Sequence, residues 1–446
     1  MAVVVSLSLA LSACGNSSSD GGSTTTAPSK TGDPSQGGDA TRDEFVEISG
    51  VPGVSDDEIA FAVIGTKTGN PLGNCILDCY LAGIEAYFSF RNGEGGIYGR
   101  DLVVGEVLDD ELSQNQVKSL DVISGNEAFG VFNATLLATG WGDLNDAGVP
   151  TYTWGIHATE AANRNNIFPS LAPRCVDCTQ PTVPYAAQLA GATKSASIGY
   201  GVSENSKVCT DTVGRSFDRF EDQSGVALAY TNDNLDYGLP NGIGPEVTAM
   251  KQAGVDFIST CIDLNGMKTL AQELERQGMG DVTLFHPNTY SQSFVAEAGD
   301  LFEGDIVSAQ FRPFEVDAEG TALGAFLKAM EAADEELSEL AMVGWINASL
   351  AFEGLLAAGP DFDRASVLAA TNAMTDFSAD GLLQPIGWTK AHTPYTEADR
   401  DLSEINCAAL VRVEDGAFVT VAEPDKPWLC WPDPDESFEP VPTSFE

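Results

Sequence analysis

Twice along this chain, short apolar runs alternate with segments of helical periodicity, and an irregular stretch at residues 161–182 separates the two series. In the first series, residues 58–65 form an apolar run closed by the turn-rich stretch 66–73. Ile76, Tyr80, Ile84, Tyr87 and Phe88 then recur at helical spacing through 75–90, and Asn92 and Gly93 stop that helix. A strand at 102–108 ends in Asp109 and Asp110, a helix follows at 116–124, and strands are expected at 130–132 and 149–154. The second series places strands at 197–200, 227–230, 255–260 and 282–285, with helices at 213–220, 244–252 and 267–277. Strand–helix alternation predicts parallel sheets flanked by helices. With 446 residues, the chain exceeds the roughly 250–300 residues that one core serves, so two α/β lobes are expected.

Beyond residue 314 the pattern turns helical, at about 321–337, 340–358 and 364–374. The acidic run 331–339 reads as a solvated helix face. Residues 407–413 and 417–421 flank Glu414-Asp415-Gly416 as a hairpin. The Pro-rich stretch 423–446 is expected to be an extended tail pinned by Cys430.

At the other end, the apolar run 2–11 leads into Leu11-Ser12-Ala13-Cys14 and then a tract of Ser, Gly, Thr, Asp and Pro. That layout is an export signal, and a cysteine at the cut resembles a bacterial lipoprotein box. Acylation of Cys14 would anchor the mature chain, each buried methylene contributing roughly 0.8 kcal/mol. The polar tract to residue 55 would be a flexible tether reaching about 35 Å. Lys plus Arg number 22 against 66 Asp plus Glu, a net charge of −44. Such a surface argues against nucleic acid, whose phosphates need basic residues, and against electrostatic adhesion to anionic lipid. It keeps a protein soluble, or concentrates cationic ligands. The cysteines beyond Cys14 read as disulfides in an exported chain, although Cys75, Cys79, Cys175 and Cys178 also have the look of a zinc site. Sequence alone leaves the pairing open; Cys75–Cys79, Cys175–Cys178, Cys209–Cys261 and Cys407–Cys430 are the simplest set.

Several stretches taken in order resemble one family: the run Ile64-Gly65-Thr66 to Gly73, the helix closing in Arg91-Asn92-Gly93-Glu94-Gly95-Gly96-Ile97-Tyr98-Gly99-Arg100, the strand end Asp109-Asp110, the strand 130–132, the strand entering Thr153-Trp154 and the closing hairpin. The chain is similar to the type I periplasmic binding proteins, in the branch of branched-chain amino-acid and amide receptors of ABC importers, over about 56–421. The resemblance implies an α/β fold of two doubly wound parallel-sheet lobes joined by a three-crossing hinge, a Venus-flytrap. The divisions expected are a signal peptide at 1–13, a lipid-anchored linker at 14–55, lobe 1 at 56–170 and 308–390, lobe 2 at 171–307 and 391–432, and a tail at 433–446. It further implies a monomer that captures a small polar or amphipathic solute, amino-acid- or amide-like, and hands it to an ABC permease with its ATPase. A surface sensor or an extracellular hydrolase using Asp109 or Asp110 is the alternative.

Ligands of open α/β sheets bind outside the carboxyl ends of the strands. Here that rule selects 66–74, 133–137, 153–158, 201–206, 261–265 and 286–290. Within them Thr66, Lys67 and Thr68 precede a helix whose free N–H groups favour an anion. The family's carboxylate-binding positions fall on Thr135 and on Ile156-His157, with Asn133 beside them, and its ammonium contact falls near Asn288. Asp263 could supply the charge that Asn288 lacks, and Trp154 and Tyr290 an apolar or stacking wall; Trp154 is as readily a core residue. His157, His286 and Asp263 could together hold a metal, although no metal or other cofactor is expected. No nucleophile elbow and no histidine pair at four-residue spacing occurs, so no enzyme is expected.

Overall fold

The computed structural model of the chain describes residues 44–171, 175, 178–287, 290–399 and 405–445. The expected signal, Cys14 and the tether to residue 43 lie outside the described residues, as does Asn288.

The first series folds as β1 (Glu58–Gly65), β2 (Asp101–Asp109), β3 (Gly130–Ala134), β4 (Thr151–Thr153) and β5 (Ile167–Pro169). These form one parallel sheet of order β2-β1-β3-β4-β5. The second begins with β6 (Lys194–Tyr200), β7 (Ala227–Leu235), β8 (Phe257–Cys261), β9 (Thr283–His286) and β10 (Ile306–Ala309), paired in parallel in the order β7-β6-β8-β9-β10. Each sheet therefore reverses its winding beside its first strand, between β1 and β3 and between β6 and β8. That reversal opens a crevice at the carboxyl ends.

The longer helices are α1 (Leu77–Gly93), α2 (Asn115–Gly125), α3 (Thr182–Leu189), α4 (Glu204–Ser224), α5 (Gly244–Ala253), α6 (Leu264–Arg276), α7 (Gln292–Ala298), α8 (Ala322–Ala333), α9 (Glu339–Ala358) and α10 (Arg364–Asn372). After β10 the chain returns to the first lobe: α8 and α9 pack on α1, and α10 on α9. It then goes back to the second sheet, which it extends with β11 (Asn406–Glu414), β12 (Ala417–Thr420), β13 (Trp428–Trp431) and β14 (Val441–Thr443), all paired antiparallel. Three crossings thus join the lobes. The first and third are tied together, because the Thr179 N–H donates to Glu397 at 2.8 Å while Arg219 of α4 holds Glu397 at 2.6 Å.

Helix α9 is apolar almost throughout, and by length and composition it could cross a membrane, yet 83% of its most apolar window is buried inside the protein. Its fit against α1 depends on two glycines. A Cβ on Gly83 would lie 1.8 Å from the Ala341 carbonyl oxygen, and one on Gly344 would lie 2.2 Å from that of Tyr80. Buried Asn347 donates to the Tyr80 hydroxyl at 2.7 Å, which donates in turn to the Tyr152 carbonyl at 3.1 Å. That chain satisfies the Tyr80 hydroxyl inside the helix contact.

Five expectations need correction. The irregular segment 161–182 contains strand β5, and the stretch expected as an extended tail contributes β13 and β14 to the sheet. The helix expected to reach residue 337 stops at Ala333, where Asp334 takes a left-handed φ of 58° as its cap. In consequence the acidic run is not one solvated face: Glu339 opens α9 and is 7% exposed. The end of the expected tether is also docked, since Arg100 donates to the carbonyls of Ser55 at 2.6 Å and Val46 at 2.8 Å.

Candidate binding cleft between the lobes

The carboxyl end of β1 is closed by its own side chains. The Thr66 hydroxyl accepts from the Leu136 amide at 3.0 Å, which joins the ends of β1 and β3 at the winding reversal. Asp109, at the end of β2, accepts from the amides of Lys67, Thr68 and Glu111 at 3.0–3.1 Å. Burial works against its charge, but hydrogen bonds, that of the Thr68 side chain foremost and then those amides, outweigh it and hold the carboxyl below its usual range. Lys67 Nζ pairs with Asp78 at 2.8 Å on the surface. The donors expected to wait for an anion at Thr66, Lys67 and Thr68 are therefore already engaged, chiefly by the protein's own Asp109.

At the neighbouring strand end, buried Thr135 donates its hydroxyl to buried Asp110 through a short contact. His157 Nε2 lies 2.9 Å from the Thr135 carbonyl oxygen, so that nitrogen carries the proton, and burial lowers the ring's pKa, keeping it neutral. Its ring meets Trp141 edge-on. Asn133 is fully buried and accepts from Asn115 at 3.3 Å. Trp154 is buried too, and its indole N–H finds no partner among the described residues.

On the facing lobe, Asp263 caps α6, accepting from the amides of Asn265 at 2.8 Å and Gly266 at 3.0 Å. Its other oxygen accepts from the Tyr200 hydroxyl at 2.6 Å. Asp263 is thus committed to capping and to Tyr200. Tyr290 is buried among Phe311, Phe314 and Phe418, its hydroxyl bonded to Glu315 and to the Phe314 amide. It is a core residue first and a wall only along the edge that faces the cleft. His286 bonds Asp305 at 2.9 Å, and among the described residues no His, Cys, Asp and Glu cluster could hold a metal ion. The metal reading of His157, His286 and Asp263 is not supported.

Across the cleft the lobes meet. Asn205, in the first turn of α4, donates to the Ile156 carbonyl at 2.9 Å, and Asn265, in the first turn of α6, donates to that of Leu72 at 3.4 Å. Beside this second contact lies a cavity of about 170 Å³. The β1–α1 segment lines it with Gly73, Asn74, Cys75 and Cys79; Leu264 and the stretch from Tyr290 to Glu297 close it from the second lobe, and the start of α9 from the first. Cys75 and Cys79 are bridged; the remaining bridges join Cys175 to Cys178, Cys209 to Cys261 and Cys407 to Cys430.

Both winding reversals thus open on one interlobe cleft. Over residues 58–417 the sequence also matches the family model described as periplasmic binding protein. The chain belongs to that family. Similar solved structures include a branched-chain amino acid ABC transporter protein from Thermus thermophilus with bound valine, at 16% identity over 87% of this chain and 97% of that one, TM-score 0.62. Another is the solute binding protein of an ABC transporter from R. palustris in complex with benzoate, at 17% identity over 82% and 95%, TM-score 0.60. A fatty acid ABC transporter substrate-binding protein from Thermomonospora curvata matches at 17% identity over 88% and 97%, TM-score 0.61. At such identities the likeness carries the fold. No curated protein matches the sequence.

This periplasmic binding protein is accordingly a non-enzymatic ligand binder of the extracytoplasmic space. Strand-end reasoning reaches three walls of its cavity, through Gly73 and Asn74, Leu264, and Tyr290. It misses Glu339, whose only signal is a lone carboxylate after Ser338 at the head of an otherwise apolar helix. Burial pushes that carboxyl up to about 7, against the pull of the Tyr290 backbone.

Proposed function

We propose that this protein is the solute receptor of an ABC importer, anchored to the outer face of the bacterial cell membrane through acylated Cys14. It captures a small polar or amphipathic solute, amino-acid- or amide-like, between its lobes. The observation that carries this reading is the pair of opposed winding reversals, at Thr66 with Thr135 and at Tyr200 with Asp263, facing one crevice. The Asn205–Ile156 and Asn265–Leu72 contacts are ones that only the closed arrangement makes, so a solute that bridges the lobes adds to them and shifts the population towards closure. The closed face then docks on the permease, and the acidic surface keeps the monomer soluble. A micromolar affinity needs about 8 kcal/mol, within reach of a few buried hydrogen bonds and the apolar edges of Trp154 and Tyr290.

The test is a thermal-shift screen of the purified chain against amino acids, amides, polyamines and small carboxylates, with mass spectrometry of the N-terminal peptide from native membranes. A stabilising solute and a diacylglyceryl-modified Cys14 are expected. Flat melting curves across the whole panel contradict the receptor role, and an unmodified Cys14 contradicts the anchor.

A further inference from the structure

The segment between β13 and β14 is longer than the strands need. A turn of about two residues can join antiparallel neighbours, yet residues 432–440 leave the sheet edge and fold over the helices of the second lobe. The indole N–H of buried Trp431 donates to the Phe438 carbonyl at 2.8 Å, which closes the excursion into a loop. The Phe438 ring packs 5.7 Å from that of Phe220 on α4 and 6.2 Å from that of Tyr185 on α3. Asp435 is thereby held over α4, where its two oxygens accept from Arg219 Nη2 at 2.9 and 3.1 Å.

At Arg219 the loop meets the hinge. Its Nη1 donates to Glu397 of the third crossing at 2.6 Å and to the Thr179 hydroxyl of the first at 2.7 Å. Ser216, three residues earlier and so on the same face of α4, accepts from the Gln180 amide at 2.9 Å. One guanidinium thus gathers two crossings and the loop, which its planar fork of donors suits. The Arg219, Glu397 and Asp435 side chains are 29%, 35% and 62% exposed, so these pairs are too well solvated to add much to the stability of the fold. A balance between open and closed lobes is finer, and weak bonds made in one of its states move it.

Resting on the receptor reading above, we propose that the 432–440 loop is a strap on the hinge. Asp435 orients Arg219, and Arg219 holds the first and third crossings in the relation they have when Asn205 and Asn265 make their interlobe bonds. Arg219 is a positioning residue: fourteen residues of α4, about 21 Å of helix, separate it from Asn205 at the cleft. The strap favours the closed arrangement, so solute meets a larger closed fraction and binds more tightly. Anchoring the sheet edge is served by Trp431 and Phe438; what Asp435 adds is a contact to the hinge.

Pulsed electron paramagnetic resonance on the full chain tests this, with spin labels on Ser113→Cys and Asn241→Cys, exposed positions that follow β2 in one lobe and β7 in the other. In unliganded protein, Asp435→Asn should lower the closed-to-open ratio about two- to fivefold and Arg219→Gln by more, while Asp435→Glu should restore it. Asp211→Asn removes a comparable ion pair on the same helix, made with Arg215 at 2.9 Å, and should leave the distances as in wild type. Unchanged distances in both Asp435→Asn and Arg219→Gln overturn the strap, and so does an equal change in Asp211→Asn. A fall in their urea midpoints without a change of distance makes the loop an anchor of the lobe and also overturns it. Adding the solutes of the thermal-shift panel separates the two readings. If no solute draws the labels of wild type together while the strap variants still open, the strap stands and the receptor role is lost. If solutes close wild type and variants at equal concentrations, the receptor role stands and the strap is lost.

Discussion

Glu339→Gln tests the energetics of the carboxyl buried at the head of α9. In the unfolded chain this carboxyl ionises near its ordinary 4.5, and in the fold burial moves it to about 7. A folded-state value above the unfolded one means the fold holds the proton more tightly, so stability is lost as pH rises through that interval. The interval of about 2.5 pH units, at about 1.4 kcal/mol per unit, makes the ionised form cost the fold about 3 kcal/mol at full deprotonation. Glutamine keeps the shape and cannot ionise. Urea unfolding of both proteins should therefore show the variant gaining on wild type by about 2–3 kcal/mol between about pH 5 and about pH 8. Other carboxylates titrate in the same range, but their contribution is common to both proteins and cancels in the difference. A wild-type-minus-variant difference that stays constant across that range refutes the burial of the Glu339 carboxyl.

Four further outcomes are expected. Gly344→Ala places a methyl 2.2 Å from the Tyr80 carbonyl oxygen, which should destabilise the α1–α9 contact by about 1–3 kcal/mol, read as a lowered unfolding midpoint. Replacing Cys209 and Cys261 by Ser opens a loop of 52 residues, and chain-entropy reasoning gives a loss of about 4 kcal/mol, checked by reduced and oxidised denaturation curves. Thr135→Val leaves Asp110 buried without the hydroxyl bonded to it, and should cost about 1–3 kcal/mol in the same assay while leaving the second lobe's far-ultraviolet signal intact. Asp109→Asn weakens the hold on the Lys67 and Thr68 amides, and should lower solute affinity in the thermal-shift assay at neutral pH, a difference that shrinks as the pH falls and the wild-type carboxylate itself takes up a proton.

The alternation of apolar runs and helical periods was enough to reveal two α/β lobes, because buried parallel strands are short and uniformly apolar and their helices are two-faced. Where the period was weak the reading failed. Strand β5 is three residues ending in proline, and β14 is again three residues with a proline at its centre; neither shows alternation, and their place is set by the neighbouring strand. The site was legible as a set of loops but not as a set of roles. Thr66, Lys67, Thr68 and Asp263 looked free because nothing in their local sequence shows Asp109 or Tyr200 arriving from distant strands. Glu339 looked solvated because a run of acidic residues continues up to it, while the left-handed Asp334 that breaks the helix is invisible to charge pattern alone. Burial is a tertiary fact. Asn74 was reached only as the last residue of a strand-end loop rich in Gly and Pro, with nothing of its own to mark it.

Small-angle X-ray scattering of the intact chain, with and without a saturating solute from the screen, tests lobe closure most directly. Closure on the solute predicts a smaller radius of gyration in the bound state, and the Asn265→Ala variant, lacking a contact that only the closed form makes, should need more solute to reach it. Identical profiles for free and fully loaded protein would contradict capture by hinge closure.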